Sequence, residues 1–175
     1  MKENEYGNEK NIVLIGMPGA GKSTAGVILA KALGFSFCDT DLVIQMREAQ
    51  TLQQIINNKG ISCFLQIEKE IIRSLDLTHH VIATGGSVIY YRESMDHLRK
   101  GGYIIYLDVD YHVLKKRITN MTTRGIAMDM KKTFRDVYSE RVPLYKKYAQ
   151  VTIECGKKHV EQIVEQIIFR VTTIS

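Results

Sequence analysis

Eight consecutive residues, Gly16 to Ser23, read G-M-P-G-A-G-K-S and satisfy the spacing G-x-x-x-x-G-K-[ST] of a nucleotide phosphate loop. Glycine is demanded because the loop must turn its backbone N–H groups inward around a polyphosphate, in conformations a Cβ penalises. The expected nucleotide cradle is Gly19, Ala20, Gly21, Lys22, Ser23 and Thr24. Lys22 has the reach to touch the β- and γ-phosphates, the Ser23 hydroxyl can hold magnesium, and the N-terminus of a following helix adds a dipole favourable to the anion. The context is right on both sides: the apolar run Asn11 to Ile15 precedes the loop, and the helical pattern Thr24 to Leu33 follows it.

A phosphate loop alone implies a nucleotide but no reaction. Asp39 and Asp41 flank Thr40 at the end of a short apolar run, where one carboxylate could organise magnesium and the other could orient or deprotonate an attacking hydroxyl. The alternative is a pair of solvated turn aspartates. Thr84-Gly85-Gly86-Ser87 ends another apolar run, so backbone amides there could approach a substrate closely; a simple tight turn is the alternative. Arg117, Arg124 and Arg141 could bring charge to a moving phosphoryl group or an anionic substrate, or be solvated like most surface arginines.

The elements that must position these residues alternate along the chain. Strands are expected at 11–15, 35–38, 80–83, 103–107 and 151–154. Helices are expected at 25–33 stopped by Gly34, 42–48, 52–58 opened by a Thr51 to Gln54 capping box and stopped by Gly60, about 62–75, 112–118 capped by Asp110, 131–148 apart from Pro143, and 160–171. In the fourth of these, Phe64, Ile67, Ile71 and Leu75 share one face. Residues 119–130 follow neither period and read as a mobile flap, and residues 1–10 as a polar tail. Such alternation predicts an α/β fold, a parallel sheet covered on both faces with ligands at the carboxyl ends of its strands.

A chain of 175 residues fits a single domain, here 11–175, and its 45% hydrophobic and 25% charged residues are ordinary globular values. The net charge of +5 is dispersed and suits small anionic ligands; no basic stripe or aromatic platform points to nucleic acid. No apolar stretch is long enough to span a membrane and the first ten residues lack a signal-peptide centre, so a cytoplasmic protein is expected. Three cysteines, Cys38, Cys63 and Cys155, have no metal-binding spacing and suggest reduced, mostly buried thiols.

With these motifs in this order, the chain resembles the shikimate kinase family from about residue 11 to residue 171. The carriers are Gly16 to Ser23, Asp39-Thr40-Asp41, Thr84 to Ser87, Arg124, and above all Glu140-Arg-Val-Pro-Leu-Tyr145, which is close to the family's R-x-P-L-Y signature. The resemblance implies a three-layer α/β/α phosphate-loop kinase fold with a five-stranded parallel sheet, a helical acceptor-binding segment at about 40–75 and a lid at about 119–130. It also implies a cytoplasmic monomer that uses ATP and Mg2+ to phosphorylate a hydroxyl of shikimate in aromatic amino-acid biosynthesis. By resemblance, Ser23 and Asp39 hold the metal, Asp41 binds the acceptor hydroxyls and acts as base, and Gly85 and Gly86 lie against the acceptor. Arg117 packs near adenine, Arg124 meets the phosphates from the lid, and Arg141 binds the acceptor carboxylate.

The departures all lie on the acceptor or lid side. Where the family usually reads F-R-x-x-E, with the arginine sharing the carboxylate clamp, this chain reads Phe64-Leu65-Gln66-Ile67-Glu68. Leu65 cannot pair with a carboxylate, and a lost charge-assisted partner of this kind is worth roughly 1.5–3 kcal/mol, at least about tenfold in affinity. The usual glycine triplet reads Thr84-Gly85-Gly86, and the flap's R-P-L-L reads Arg124-Gly-Ile-Ala127. Two alternatives follow: a kinase of another small hydroxy acid or amino-alcohol acid, homoserine- or gluconate-like, or a catalytically degenerate nucleotide-binding module. Against the second, Lys22, Asp39, Asp41 and Arg124 are all intact.

Overall fold

The computed structural model describes residues 10–118, 127–128 and 132–174, with the Ile174 side chain excepted. The expected polar tail, most of the expected flap, and Arg124 lie outside the described residues. Five strands form one sheet: β1 (Asn11–Ile15), β2 (Ser36–Asp39), β3 (His80–Ala83), β4 (Gly102–Asp108) and β5 (Val151–Glu154). Every pairing is parallel and the spatial order is β2-β3-β1-β4-β5. All five residues of β1 are buried. Because successive strand side chains point to opposite faces, both faces of the sheet are covered, as the unbroken apolar run Ile12 to Ile15 requires.

Helix α1 (Lys22–Leu33) packs against α7 (Val160–Ile174), and it ends at Gly34 in a left-handed cap whose N–H reaches back to the last turn. Helices α3 (Leu52–Ser74) and α4 (Arg92–Gly101) pack together, and α4 and α6 (Phe134–Tyr148) both meet β4 and a 3₁₀ turn at Val88–Tyr90. Helix α2 (Thr40–Glu48) packs on α3, forming a second apolar cluster around Ile44, Ile55, Phe64 and Ile71. Helix α5 (Tyr111–Arg117) starts where the Asp110 carboxylate accepts from the His112 N–H, as expected.

Several boundaries differ from expectation for local reasons. The stop expected at Gly60 is present: its φ of 80° separates the two helices expected at 52–58 and 62–75, which abut across a kink within α3. The Thr51 capping box with Gln54 is present. Helix α6 begins three residues later than 131 because Thr133 and Asp136 form a second capping box there, and it runs on through Pro143. No element is expected at 92–101, yet α4 forms; Met95 and Leu98 are its only large apolar side chains, too short a pattern to read as periodic. Cys63 is exposed, against the expectation of mostly buried thiols, while Cys155 is buried and Cys38 half-buried.

Close packing of α1 on β2 depends on a missing side chain. A Cβ on Gly26 would stand 2.6 Å from Cε2 of the Phe37 ring. Gly26→Val should therefore destabilise the fold by about 1–3 kcal/mol through overpacking, whereas Val27→Ala at the exposed neighbour should stay within about 0.5 kcal/mol. Urea unfolding of the two variants beside the wild type checks this.

Candidate active site

The phosphate loop leaves the carboxyl end of β1 and enters α1. Gly16, Gly19 and Gly21 have φ of 147°, 80° and 92°, and a Cβ on Gly16 would stand 2.9 Å from the Leu107 carbonyl, so both conformation and space require glycine there. Lys22, nearly buried, folds its ammonium back onto the loop and donates to the carbonyls of Gly16 at 2.7 Å and Met17 at 3.0 Å. Burial lowers its pKa to about 8, although Asp41 and Asp39 oppose the shift.

Asp39 joins the loop to the next strand by using both oxygens. Oδ1 caps α2 by accepting from the Asp41 N–H at 3.0 Å, and Oδ2 accepts from the Ser23 hydroxyl at 2.6 Å. The Ser23 and Asp39 oxygens thus meet beside the phosphate cradle, a hard-oxygen pair of the kind magnesium uses together with phosphate oxygens. Among the described residues no group of three His, Cys, Asp or Glu could hold a metal ion by itself. Asp41, in the first turn of α2, has its pKa raised to about 6 by burial and by Asp39, with Lys22 opposing.

The Gly85-Gly86 turn after β3 is where the site closes. Its Thr84 hydroxyl donates to the Leu14 carbonyl at 3.0 Å, and the Gly85 N–H donates to the hydroxyl of the fully buried Thr40 at 3.1 Å. A Cβ on Gly85 would run into Glu68 Oε1 and stand 2.8 Å from Asp41 Oδ1. A Cβ on Gly86 would stand 2.9 Å from Pro18 Cδ and 3.1 Å from Arg141 Nη1. Neither glycine has a positive φ; what the pair supplies is room for two carboxyls, a guanidinium and the loop to converge.

One cavity of about 630 Å³ gathers these groups. It is lined by Gly19 through Thr24, Asp41, Gly85, Gly86, Arg117 and Arg141 of the expected set. Arg117 is exposed and reaches the Gly19 carbonyl at 3.4 Å, beside Lys158 and Val160. Arg141 is 1% exposed, which removes the solvated-surface alternative for it. Asp39 is not a lining residue but acts behind the loop through Ser23. Leu65 packs half-buried against the cluster of Ile44, Ile55 and Phe64, and does not line the cavity. The basic residues among the described lining are Lys22, Arg117, Arg141 and Lys158, so no additional described arginine lines the cavity in the place of the missing one.

Sequence reasoning missed two polar groups at the core of the site. One is Thr40, fully buried between the two aspartates. Glu68, 1% exposed on α3, accepts from the Ser87 hydroxyl at 2.7 Å through Oε2, while Oε1 has no hydrogen-bond partner among the described residues. A signal for Glu68 existed: it is four residues after Phe64 and three before Ile71, on the buried face of its helix.

Burial raises the Glu68 pKa from 4.5 to about 7, with the Ser87 hydrogen bond opposing and Asp41 adding to the rise. A carboxyl with a higher pKa folded than unfolded favours folding most when protonated. Its contribution is complete below pH 4.5 and is lost as pH rises to about 7. Wild-type protein without nucleotide should therefore lose about 3 kcal/mol across that window relative to Glu68→Gln, which keeps a neutral partner for Ser87. Urea titrations of both proteins at a series of pH values measure the difference.

Comparison with known proteins places this geometry. The family model for shikimate kinase matches residues 18–172. Shikimate kinase of Staphylococcus haemolyticus is 37% identical over 164 residues, covering 92% of this chain and 95% of that protein. Shikimate kinase of Caldanaerobacter subterraneus subsp. tengcongensis is 35% identical over 162 residues, covering 91% and 94%. Among solved structures, shikimate kinase from Acinetobacter baumannii in complex with shikimate superposes with a TM-score of 0.90 at 27% identity, covering 97% of each chain. Deoxyadenosine kinase from M. mycoides, at a TM-score of 0.61 and 15% identity, shares the fold. The phosphate loop, the two-carboxylate turn and the buried arginine thus sit on the scaffold their order along the chain implied, and the chain belongs to the shikimate kinase family, whose members are ATP-dependent kinases acting on a hydroxyl group.

Proposed function

We propose that this chain transfers the γ-phosphoryl group of ATP to a hydroxyl of shikimate, forming shikimate 3-phosphate and ADP as a step of aromatic amino-acid biosynthesis. The observation that carries the reading is that Asp41 and the buried Arg141 line the same cavity as the phosphate loop, so a hydroxyl and a carboxylate of one small molecule can be held beside a nucleotide.

In this reading the amides of Gly19 through Thr24 cradle the phosphates, Arg117 packs at the adenine, and Arg124 meets the phosphates from a lid at 119–130. Asp41 accepts a hydrogen bond from the acceptor hydroxyl and takes its proton as the hydroxyl oxygen attacks the γ-phosphorus. The bond from that phosphorus to the bridging oxygen breaks and ADP departs. A carboxyl with a pKa of about 6 holds a proton better than an ordinary aspartate, which suits a base that must accept one in a desolvated cleft. Lys22 and Arg124 balance the charge on the transferring group. Ser23 and Asp39 would hold Mg2+, which would supply positive charge to offset that of the phosphates. Gly85 and Gly86 lie against the acceptor, and the 40–75 segment forms its wall. The rest of the proposal is a cytoplasmic monomer, 11–175 being one domain, with no nucleic-acid or membrane partner; no described helix is long and apolar enough to cross a membrane.

Coupled ADP release with purified protein, ATP, Mg2+ and shikimate tests the reading, and no release above background overturns it. Running homoserine and gluconate in parallel identifies an acceptor suited to a single guanidinium. Asp41→Asn should cut turnover by about 10²–10⁴-fold while nucleotide affinity persists. Leu65→Arg should raise kcat/KM for shikimate by about tenfold if the site still presents its carboxylate to this wall.

A further inference from the structure

Arg141 is a fully buried cation that forms no ion pair with a described carboxylate. Neutral groups hold it instead. The Tyr90 hydroxyl accepts from Nε at 3.0 Å, the Tyr90 ring lies 5.1 Å from the guanidinium carbon, and the Ala127 carbonyl accepts from Nη2. The Tyr145 hydroxyl also interacts with the guanidinium, and Nη1 stands 3.1 Å from where a Cβ on Gly86 would be, in the cavity lining that Gly86 and Arg141 share.

Tyr90 is itself fixed. It ends the 3₁₀ turn Val88–Tyr90 that directly follows the glycine pair, and its N–H donates to the Ser87 carbonyl at 3.0 Å. Beside it the Glu140 carboxylate pairs with Lys132, which holds its pKa below the ordinary carboxylate range. An arginine Nε–H can only donate, so the phenolic oxygen turns a lone pair to Arg141. The tyrosine thus contributes both an acceptor and a ring face to the guanidinium, the two contacts that fix a planar cation in orientation as well as in position.

We propose that Tyr90 is a positioning residue for acceptor recognition: by holding Nε and one face of the Arg141 guanidinium, it aims Nη1 past Gly86 at the acceptor's carboxylate. The inference rests on the reading that the acceptor carries a carboxylate bound by Arg141. A pinned guanidinium spares the acceptor the cost of ordering a long side chain, so a lone arginine binds an anion more tightly than a free one could.

Tyr90→Phe removes the acceptor oxygen and keeps the ring; Tyr90→Leu removes both. Steady-state kinetics should show the KM for shikimate rising about 5- to 10-fold in Tyr90→Phe and further in Tyr90→Leu, with the KM for ATP within about twofold and the larger part of the loss in KM rather than kcat. An unchanged acceptor KM in both variants, or equal losses for ATP and acceptor, overturns the assignment. Arginine side-chain 15N–1H spectra separate this inference from the choice of acceptor. A protected Nε–H signal that is missing in Arg141→Lys should collapse toward the solvent-exposed position in Tyr90→Phe, whatever the wild type phosphorylates. Persistence of that signal in Tyr90→Phe overturns the positioning role even if shikimate is turned over.

Discussion

The site depends on how many charged groups can be brought to one spot at the carboxyl end of the sheet. Asp41, Glu68, Lys22 and Arg141 arrive from α2, α3, α1 and α6, and each is close enough to perturb at least one of the others. Such convergence is costly because ionised groups lose water. It is possible here because the Gly85-Gly86 backbone occupies so little space, and because Thr40 and Ser87 satisfy polar groups that would otherwise be orphaned. The rise of the Asp41 and Glu68 pKa values to about 6 and 7 is the electrostatic cost of that arrangement, and the same cost makes Asp41 a competent proton acceptor.

The donor side solves a different problem. Its ligand is a strong anion that arrives with its own charge, so the protein needs backbone amides and a lysine held ready. Positive φ at Gly19 and Gly21 shapes the loop, and the Lys22 ammonium rests on the Gly16 and Met17 carbonyls. Asp39 ties the two sides together, capping the helix that carries Asp41 with one oxygen and holding Ser23 with the other. Movement of α2 would therefore be felt by the hydroxyl expected to hold magnesium.

The departure at Leu65 is absorbed by packing. Its side chain joins the apolar cluster between α2 and α3, leaving Arg141 as the buried guanidinium among the described cavity lining. Rigid neutral contacts to Tyr90 and Ala127 keep that guanidinium oriented without neutralising its charge. Glu68 is satisfied on one oxygen by Ser87.

The local pattern determined a great deal. Apolar runs of four or five residues between helical periods were enough for a parallel sheet, because a strand buried on both faces has to be apolar at successive positions. The loop, Asp39 and Asp41 were legible because their chemistry is local: a spacing of a few residues decides which backbone amides and side chains share a turn; the Arg141-to-Tyr145 segment was legible only through its resemblance to a family signature. The capping box at Thr51 and the left-handed stop at Gly34 were legible because their chemistry, too, is local. What the tertiary structure alone decided are the contacts between residues far apart in the chain. The hydroxyl of Thr40 meets the Gly85 amide across 45 residues, Glu68 meets Ser87 across 19, and Tyr90 meets Arg141 across 51. No periodicity encodes those distances. They follow from the order in which strands join the sheet and from the space two glycines leave, quantities that exist only once the chain has closed on itself.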